Sequence, residues 1–469
     1  VSSYTLYFQY SVLFLSGLLV LSAYELARAI HSKFAGVVLA VTTVFTGSFA
    51  YLIPYFNPIQ GWHESSFWVR QTFVMIVTPP VIYTLALTLM CLLLFYKLSL
   101  STPLQKNYLA LHLAVILLCA TSIGFKSYSW VILSVLYASV LLIELIRHRS
   151  FTTIVVGVGY LLFCVPLLWL ITKFAGNTFF YHPLWFTNSM IESPDRVNYL
   201  QWKFLQDHYV LKKNIPRLFL LEAKKIAIFY FGNLGIRSFF IFLPLIFILK
   251  KTKQHAILIV SLFASIGFLL SSIFPLLFLQ TGTVWNSIQF WYYALLFANI
   301  VFTFFVVLLL EKRSQLLTAL VLSAVLFLAL PTTIHTLQAK TKSPTLFAAS
   351  KKEFLNSLEK SDTILICPQA DELYHTSIVT TLTPAKVYLA NPSQLTLTGL
   401  QTTVQADYEK IFANQDASSF KNIIQNHSIT TIICSDPHLT TLIQNMLDNV
   451  YGTSVIVPTF VSNLAVFRL

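Results

Sequence analysis

"QFWYYALLFANIVFTFFVVLLL", residues 289–310, holds no charged side chain, and Glu311, Lys312 and Arg313 follow it directly. As a helix rising 1.5 Å per residue the stretch covers about 33 Å, the thickness of a bilayer's hydrocarbon layer. Its apolar residues are solid rather than alternating, which argues against a barrel strand, and in hydrocarbon a helix satisfies its own backbone. The segment reads as a transmembrane helix.

Comparable runs lie near 4–24, 34–55, 72–96, 107–125, 127–143, 151–172, 226–249, 255–279 and 315–335, ten spans in all. Composition agrees: of 469 residues 56% are hydrophobic and 10% charged, with a mean hydropathy of +0.71, far from a soluble domain. The expected fold class is an α-helical polytopic membrane protein of about ten transmembrane helices with a C-terminal extracytoplasmic α/β domain. Residues 1–338 form the multi-span domain, interrupted by a loop at 173–225, and 339–469 form the α/β domain.

Lys and Arg concentrate in alternate short loops, at Arg28 and Lys33, Lys97 and Lys106, Arg147 and Arg149, Lys250 to Lys253, and Lys312 with Arg313. These loops are expected to be cytoplasmic. Residue 1, the 61–71 loop, the 173–225 loop and the tail then face outward. An outward start on Val1 leads to the expectation of an upstream portion with an odd number of spans.

The tail contains short β-rich runs, "TILICP", "AKVYLA", "TTIIC", "SVIVP" and "LAVFRL", between helical stretches, which predicts a largely parallel sheet. A helix is expected to open at Ser343 and Pro344. Within the 173–225 loop, "VNYLQWKFLQDHYVLKK" predicts short helices along the outer membrane surface. Cys91, Cys119 and Cys164 fall within spans as small buried residues, whereas Cys367 and Cys434 meet only if their strands are neighbours.

The net charge of +13 is spread over helix ends rather than along a stripe with interleaved aromatics, so nucleic acid is not an expected partner. P-loop, GxGxxG, HExxH and GxSxG signatures are absent, and no metal-ligand set is implied.

Chemistry must then come from isolated polar residues. Arg237 lies amid an apolar span and either faces a polar cavity or partner, or makes a structural pairing. The loop "GWHESSFWVRQ", residues 61–71, brings His63, Glu64 and Arg70 between apolar runs; Glu64 would act as a base or bind a metal, and Arg70 would neutralise a phosphate. A solvated loop is the alternative. Trp285, Asn286, Gln289, Tyr292 and Tyr293 cluster where a span re-enters from outside, and amides beside aromatic faces suit a sugar. Interhelical bonding with an aromatic belt explains them as well. Lys126 is a further outward cation, and Asp195 with Arg196 fit either a contribution to a site or a plain turn.

"ESSFWVRQTFVMIVTPPVIYTLAL" from residue 64, "WNSIQFWYYALLF" from 285 and the α/β tail after the last span together resemble the GT-C type of polytopic membrane glycosyltransferase. The resemblance implies a bacterial plasma-membrane enzyme moving a sugar from a polyprenyl-phosphate donor to a lipid, glycan or protein acceptor at the outer leaflet, with a divalent metal as an open question. The family's hallmark acidic residue lies in a first outward loop that would precede residue 1. No position here carries it, and Glu64, with His63 beside it, is at best a second acidic site. On this resemblance Arg70, Lys126 and Arg237 would hold the donor phosphate. A non-catalytic relative, a transporter or flippase of lipid-linked glycans, and an assembly protein are the competing readings.

Overall fold

The structure, a computed structural model, describes residues 10–58, 60–172, 179–244, 254–281, 284–342, 349–367, 383–388, 412, 417–452, 456–461 and 464–469. By contact density the chain divides into two compact units, one holding Ser11–Lys173 with Thr178–Thr341 and the other holding Lys342–Leu469.

The first unit is helical. Among the described residues nine helices are long and apolar enough to cross a membrane, and Lys33–Phe45 is a shorter apolar one. In chain order the helices are α1 (Ser11–Ile30), α2 (Lys33–Phe45), α3 (Gln71–Val77), α4 (Pro79–Leu100), α5 (Tyr108–Phe125), α6 (Ser127–His148) and α7 (Phe151–Thr172). There follow α8 (Trp185–Glu192), α9 (Leu200–Leu211), α10 (Ile215–Leu234), α11 (His255–Leu277), α12 (Phe290–Leu310) and α13 (Gln315–Lys342). The opening stretch is the centre of this unit: its span is 89% buried, against 17% for the span of α13. A helix apolar on every face suits either place, and packing decides which.

The run at 34–55 is not one span. Its helix ends at Thr46, and the next residues turn to other segments: Gly47 N–H donates to Ala329 O (2.9 Å) and Phe49 N–H to Gly232 O (2.9 Å). Ser48 O accepts from the Thr332 hydroxyl (2.6 Å). Gly235 (φ +58°) ends α10 against this bend, where a Cβ would sit 2.5 Å from Gly47 O, so glycine meets both a left-handed φ and a backbone contact. The run at 72–96 is also divided: Pro79 and Pro80 give α4 its first turn and disfavour helix at Thr78, leaving α3 as a separate short helix.

The 173–225 loop contains strand β1 (Phe179–Tyr181), which pairs antiparallel with β2 (Phe278–Gln280), and helices α8 and α9. Buried Lys225 of α10 donates to Asn188 (2.8 Å), Gln206 (2.5 Å) and Glu222 (2.9 Å). All three ammonium protons find acceptors, and α8, α9 and α10 are tied together.

The second unit is an α/β domain. Strands β3 (Thr363–Ile366), β4 (Lys386–Val387), β5 (Thr431–Cys434), β6 (Thr459–Val461) and β7 (Leu464–Arg468) form a sheet in the order β4-β3-β5-β7-β6. Strand β3 runs parallel to β4 and β5, but β5–β7 and β6–β7 are antiparallel. The sheet is thus mixed rather than largely parallel, because two residues separate β6 from β7 and so short a link permits only an antiparallel pair. Period-2 alternation sends Leu365 and Cys367 to one core, with Ile423 and Met446 of helices α15 (Ala417–Asn426) and α16 (Pro437–Tyr451). Ile364 and Ile366 go to the other, with Leu355 of α14 (Ala349–Asn356). The expected cap at Ser343 and the first two residues of "SVIVP" lie outside the described residues; its last three, Ile456 to Pro458, are not strand, and β6 begins just after them at Thr459.

Ile366 and Ile433 are register partners, which sets Cys367 beside Cys434 with Cα atoms 5.0 Å apart. The two sulfurs are bonded.

Candidate functional site

The loop before α3 is fastened to the turn after α8, largely through main-chain carbonyls. Asn57 donates to Val197 O and Asn198 O (3.1 Å each), and Gln60 to Pro194 O (2.8 Å). His63 Nε2 lies 2.6 Å from Asp195 O, and Ser65 Oγ lies 2.9 Å from Nδ1. A carbonyl only accepts, so Nε2 carries the proton and Nδ1 accepts from the Ser65 hydroxyl. In return Arg196 donates to Ser65 O. Burial lowers the His63 pKa, with Arg196 and Arg70 as smaller contributors in the same direction.

Between these loops opens a cavity of about 720 Å³ lined by Arg70, Asp195, Arg196, Asn286, Gln289 and Tyr292, with Trp68, Trp185, Ser189 and Ser193 among its walls. Arg70 is exposed, 5.7 Å from the Phe73 ring centroid. Arg196 stacks over Trp68 at 4.2 Å and meets the Asp195 carboxylate at 3.3 Å. Its Nε finds no partner among the described residues, and burial lowers its pKa. Trp68 has φ 81°, a strained geometry for a bulky residue, costing about 1–3 kcal/mol. It is held by Arg196 and by ring contacts at 5.5 Å to both Trp185 and Phe186.

Six of the residues singled out in the sequence therefore share one hollow: Arg70, Asp195, Arg196, Asn286, Gln289 and Tyr292. Lys126 stands behind them, its Nζ donating to Gln289 Oε1 (2.8 Å) while Gln289 Nε2 donates to Asn286 Oδ1 (3.1 Å). Its pKa is lowered by burial.

The others lie elsewhere. Glu64 is buried and accepts from the first amides of α3, Thr72 N–H and Phe73 N–H (3.1 Å), and from the Thr336 hydroxyl (3.2 Å). A carboxylate over a helix N-terminus is a stabilising cap, and this one does not line the cavity. Burial raises its pKa against those hydrogen bonds. Arg237 is wholly enclosed, donating to Asn299 Oδ1 (3.0 Å), Leu234 O (3.3 Å), Thr46 O and Gln71 Oε1. Its guanidinium is taken up by these protein acceptors and does not line the cavity, which corrects the expectation that Arg237 holds the donor phosphate together with Arg70 and Lys126. Tyr293, one helical step from Tyr292, turns away to the Thr84 hydroxyl (2.7 Å). The side chain of Trp285 lies outside the described part of the structure.

Both displaced groups act on Arg70 from behind. Glu64 caps α3, Arg237 holds Gln71, and Asn233 Oδ1 takes Val69 N–H (3.2 Å), so the backbone on either side of Arg70 is fixed. Trp185, Ser189 and Ser193 were not legible as site residues; Trp185 and Ser189 are spaced at i and i+4 on α8, a pattern also shown by any packed helix, and Ser193 is the residue that caps its C-terminal end. Among the described residues no three of His, Cys, Asp and Glu stand together as a metal cradle.

No family model matches the chain, and no curated protein matches it. Among solved structures it is similar to the Archaeoglobus fulgidus oligosaccharyltransferase, crystallised in complex with Zn and sulfate, with a TM-score of 0.48 and 11% identity over 92% of this chain and 57% of that one. The chain thus spans little more than half the length of that protein, and so distant a likeness assigns no role to any residue here.

Proposed function

We propose that the chain is a membrane glycosyltransferase of the GT-C type, which moves a sugar from a polyprenyl-phosphate donor to an acceptor at the outer face of the membrane. The observation that carries this reading is the placement of Arg70 and Arg196, from two loops distant in sequence, on one cavity that also presents indole rings, amides and a carboxylate. Guanidinium groups match phosphate oxygens, indole faces match the CH faces of a sugar, and amides match its hydroxyls.

In this reading the acceptor's O–H proton passes to the Asp195 carboxylate, and the acceptor oxygen bonds to the anomeric carbon. The bond from that carbon to the phosphate oxygen breaks, and the leaving phosphate keeps the electron pair beside Arg70 and Arg196. Asp195 takes the place the sequence offered to Glu64, since it is the carboxylate lining the cavity. The outward orientation is supported by the distribution of Lys and Arg in the loops and by the Cys367–Cys434 disulfide, because disulfides persist in oxidising compartments.

The test is incubation of the full chain in lipid nanodiscs with polyprenyl-phosphate sugars and candidate lipid, glycan and protein acceptors, following released polyprenyl phosphate by chromatography. Release that depends on acceptor and is lost in Arg70→Ala supports the reading. Donor binding without release marks a non-catalytic relative or a carrier, and absence of both binding and release removes the proposal.

A further inference from the structure

The turn between α9 and α10 is built to a fixed shape. Lys213 N–H donates to Val210 O (3.0 Å) and Asn214 N–H to Tyr209 O (2.9 Å), the paired closure that usually ends a helix on a left-handed glycine. Here the left-handed position is held by Lys213, φ 51°, at a strain that glycine would not carry. Asn214 Oδ1 then accepts from Arg217 N–H (3.3 Å) to open α10, and Pro216 stiffens its first turn. A lysine kept where glycine is easier suggests a use for its charge.

The surface of this tip has two parts. Leu211 is 81% exposed, Ile215 72% and Phe219 75%, large apolar side chains without cover from their own chain. Beside them Lys212, Lys213 and Arg217 are all exposed, with no carboxylate between residues 208 and 221. Ile215 is also where the candidate span Ile215–Phe242 begins, so the tip stands where the chain meets hydrocarbon.

We propose that this hairpin tip docks into the bilayer surface at anionic lipid, with Leu211, Ile215 and Phe219 entering the acyl boundary and the three cations meeting lipid phosphates. Apolar residues within a turn of a span's start, mixed with long basic side chains, are the composition of an interfacial segment. The inference does not depend on the enzymatic reading.

The experiment places a bimane label on Leu211→Cys in the full chain. The free cysteines among the described residues are buried, so the new thiol takes the label. In nanodiscs, nitroxide-labelled phosphatidylglycerol and phosphatidylcholine are compared as quenchers, with iodide as the aqueous one. Quenching by lipid is expected, with phosphatidylglycerol preferred about fivefold or more, the attraction of one basic residue to an anionic leaflet. Lys212→Glu with Lys213→Glu should abolish that preference. Lys213→Gly, which relieves the left-handed strain, should weaken the preference without lowering the melting temperature, so a misfolded double variant does not end the test. Iodide quenching without lipid quenching, as expected were the tip to await a protein partner, overturns the proposal. Equal quenching by the two lipids overturns it as well.

Discussion

The guanidinium of Arg237 donates to the side-chain oxygen of Gln71, the residue that follows Arg70. A buried cation thereby fixes the backbone from which an exposed one reaches the cavity, and the two arginines should fail in different ways.

Arg237→Ala leaves Asn299 Oδ1, Thr46 O and Gln71 Oε1 without their donor in a dry interior. Each unsatisfied group costs about 1–3 kcal/mol, so a loss of about 3 kcal/mol or more is expected. Arg237→Lys should recover little, because one ammonium cannot span acceptors arranged for a planar fork. Melting temperature in detergent checks this. An unchanged melting temperature together with lost ligand binding would return Arg237 to the ligand site.

Arg70→Ala should do the reverse. The side chain is exposed, so stability should change by no more than about 0.5 kcal/mol. Affinity for a lipid phosphate should fall about 10- to 100-fold, the worth of a hydrogen bond to a charged group. Equal affinity in wild type and variant would take Arg70 out of the anion site.

Asp195→Asn keeps the shape of the turn and removes the base. Transfer should drop by about 10²- to 10⁴-fold, the usual contribution of a positioned general base, while donor binding persists. Full transfer in this variant would hand the proton to another group and leave the phosphate site intact.

Acidification should loosen the two fastened loops. The folded-state pKa of His63 lies below its ordinary value of about 6.5 because of burial. The neutral ring is the form that accepts from Ser65 and donates to Asp195 O. Its contribution is full above the unfolded pKa and lost as pH falls through that value towards the lower folded one. Glu64 has the opposite sign: burial raises its pKa, so its contribution grows as pH falls through the raised value. Hydrogen exchange of residues 57–68 and 193–198 between pH 7 and 5 separates them, since His63→Gln should flatten the acid-side loss. Identical pH dependence in the variant would exclude His63 as its source.

Replacing Cys367 and Cys434 by Ser reopens a loop whose ends are 67 residues apart. The expected loss is about 2–4 kcal/mol, read as the denaturation midpoint of the C-terminal unit with and without reductant. A wild-type midpoint that does not respond to reductant would argue against the bond.

The spans were legible because length and continuous apolarity are local properties. The bend at 46–48 was not read, although "TTVFTGSFAYLIPYF" carries Gly47, Ser48 and Pro54 as weak turn signals; the stretch is free of charge like its neighbours, and the partners at Ala329 and Gly232 that receive the bent backbone come from distant segments. The same limit governs the site. Sequence shows that Arg237 is costly amid hydrocarbon, but the carbonyl and amide groups that accept from it come from residues 46, 71, 234 and 299. The Ser-Pro-Asp-Arg stretch is the turn its composition predicts, with Arg196 N–H on Ser193 O (3.0 Å). That the turn also borders a cavity is set by a partner loop some 130 positions earlier in the chain.

The fastening of those two loops leaves room for change. The amides of Asn57 and Gln60 and the imidazole of His63 grip main-chain oxygens, and a carbonyl is present whichever residue bears it. A change of the Asp195 side chain, as in Asp195→Asn, therefore alters the cavity's chemistry without removing the carbonyl that His63 holds. Of the residues whose carbonyls are gripped, Asp195 lines the cavity, so what the wall offers a ligand and what fastens the two loops are set by different atoms of one residue.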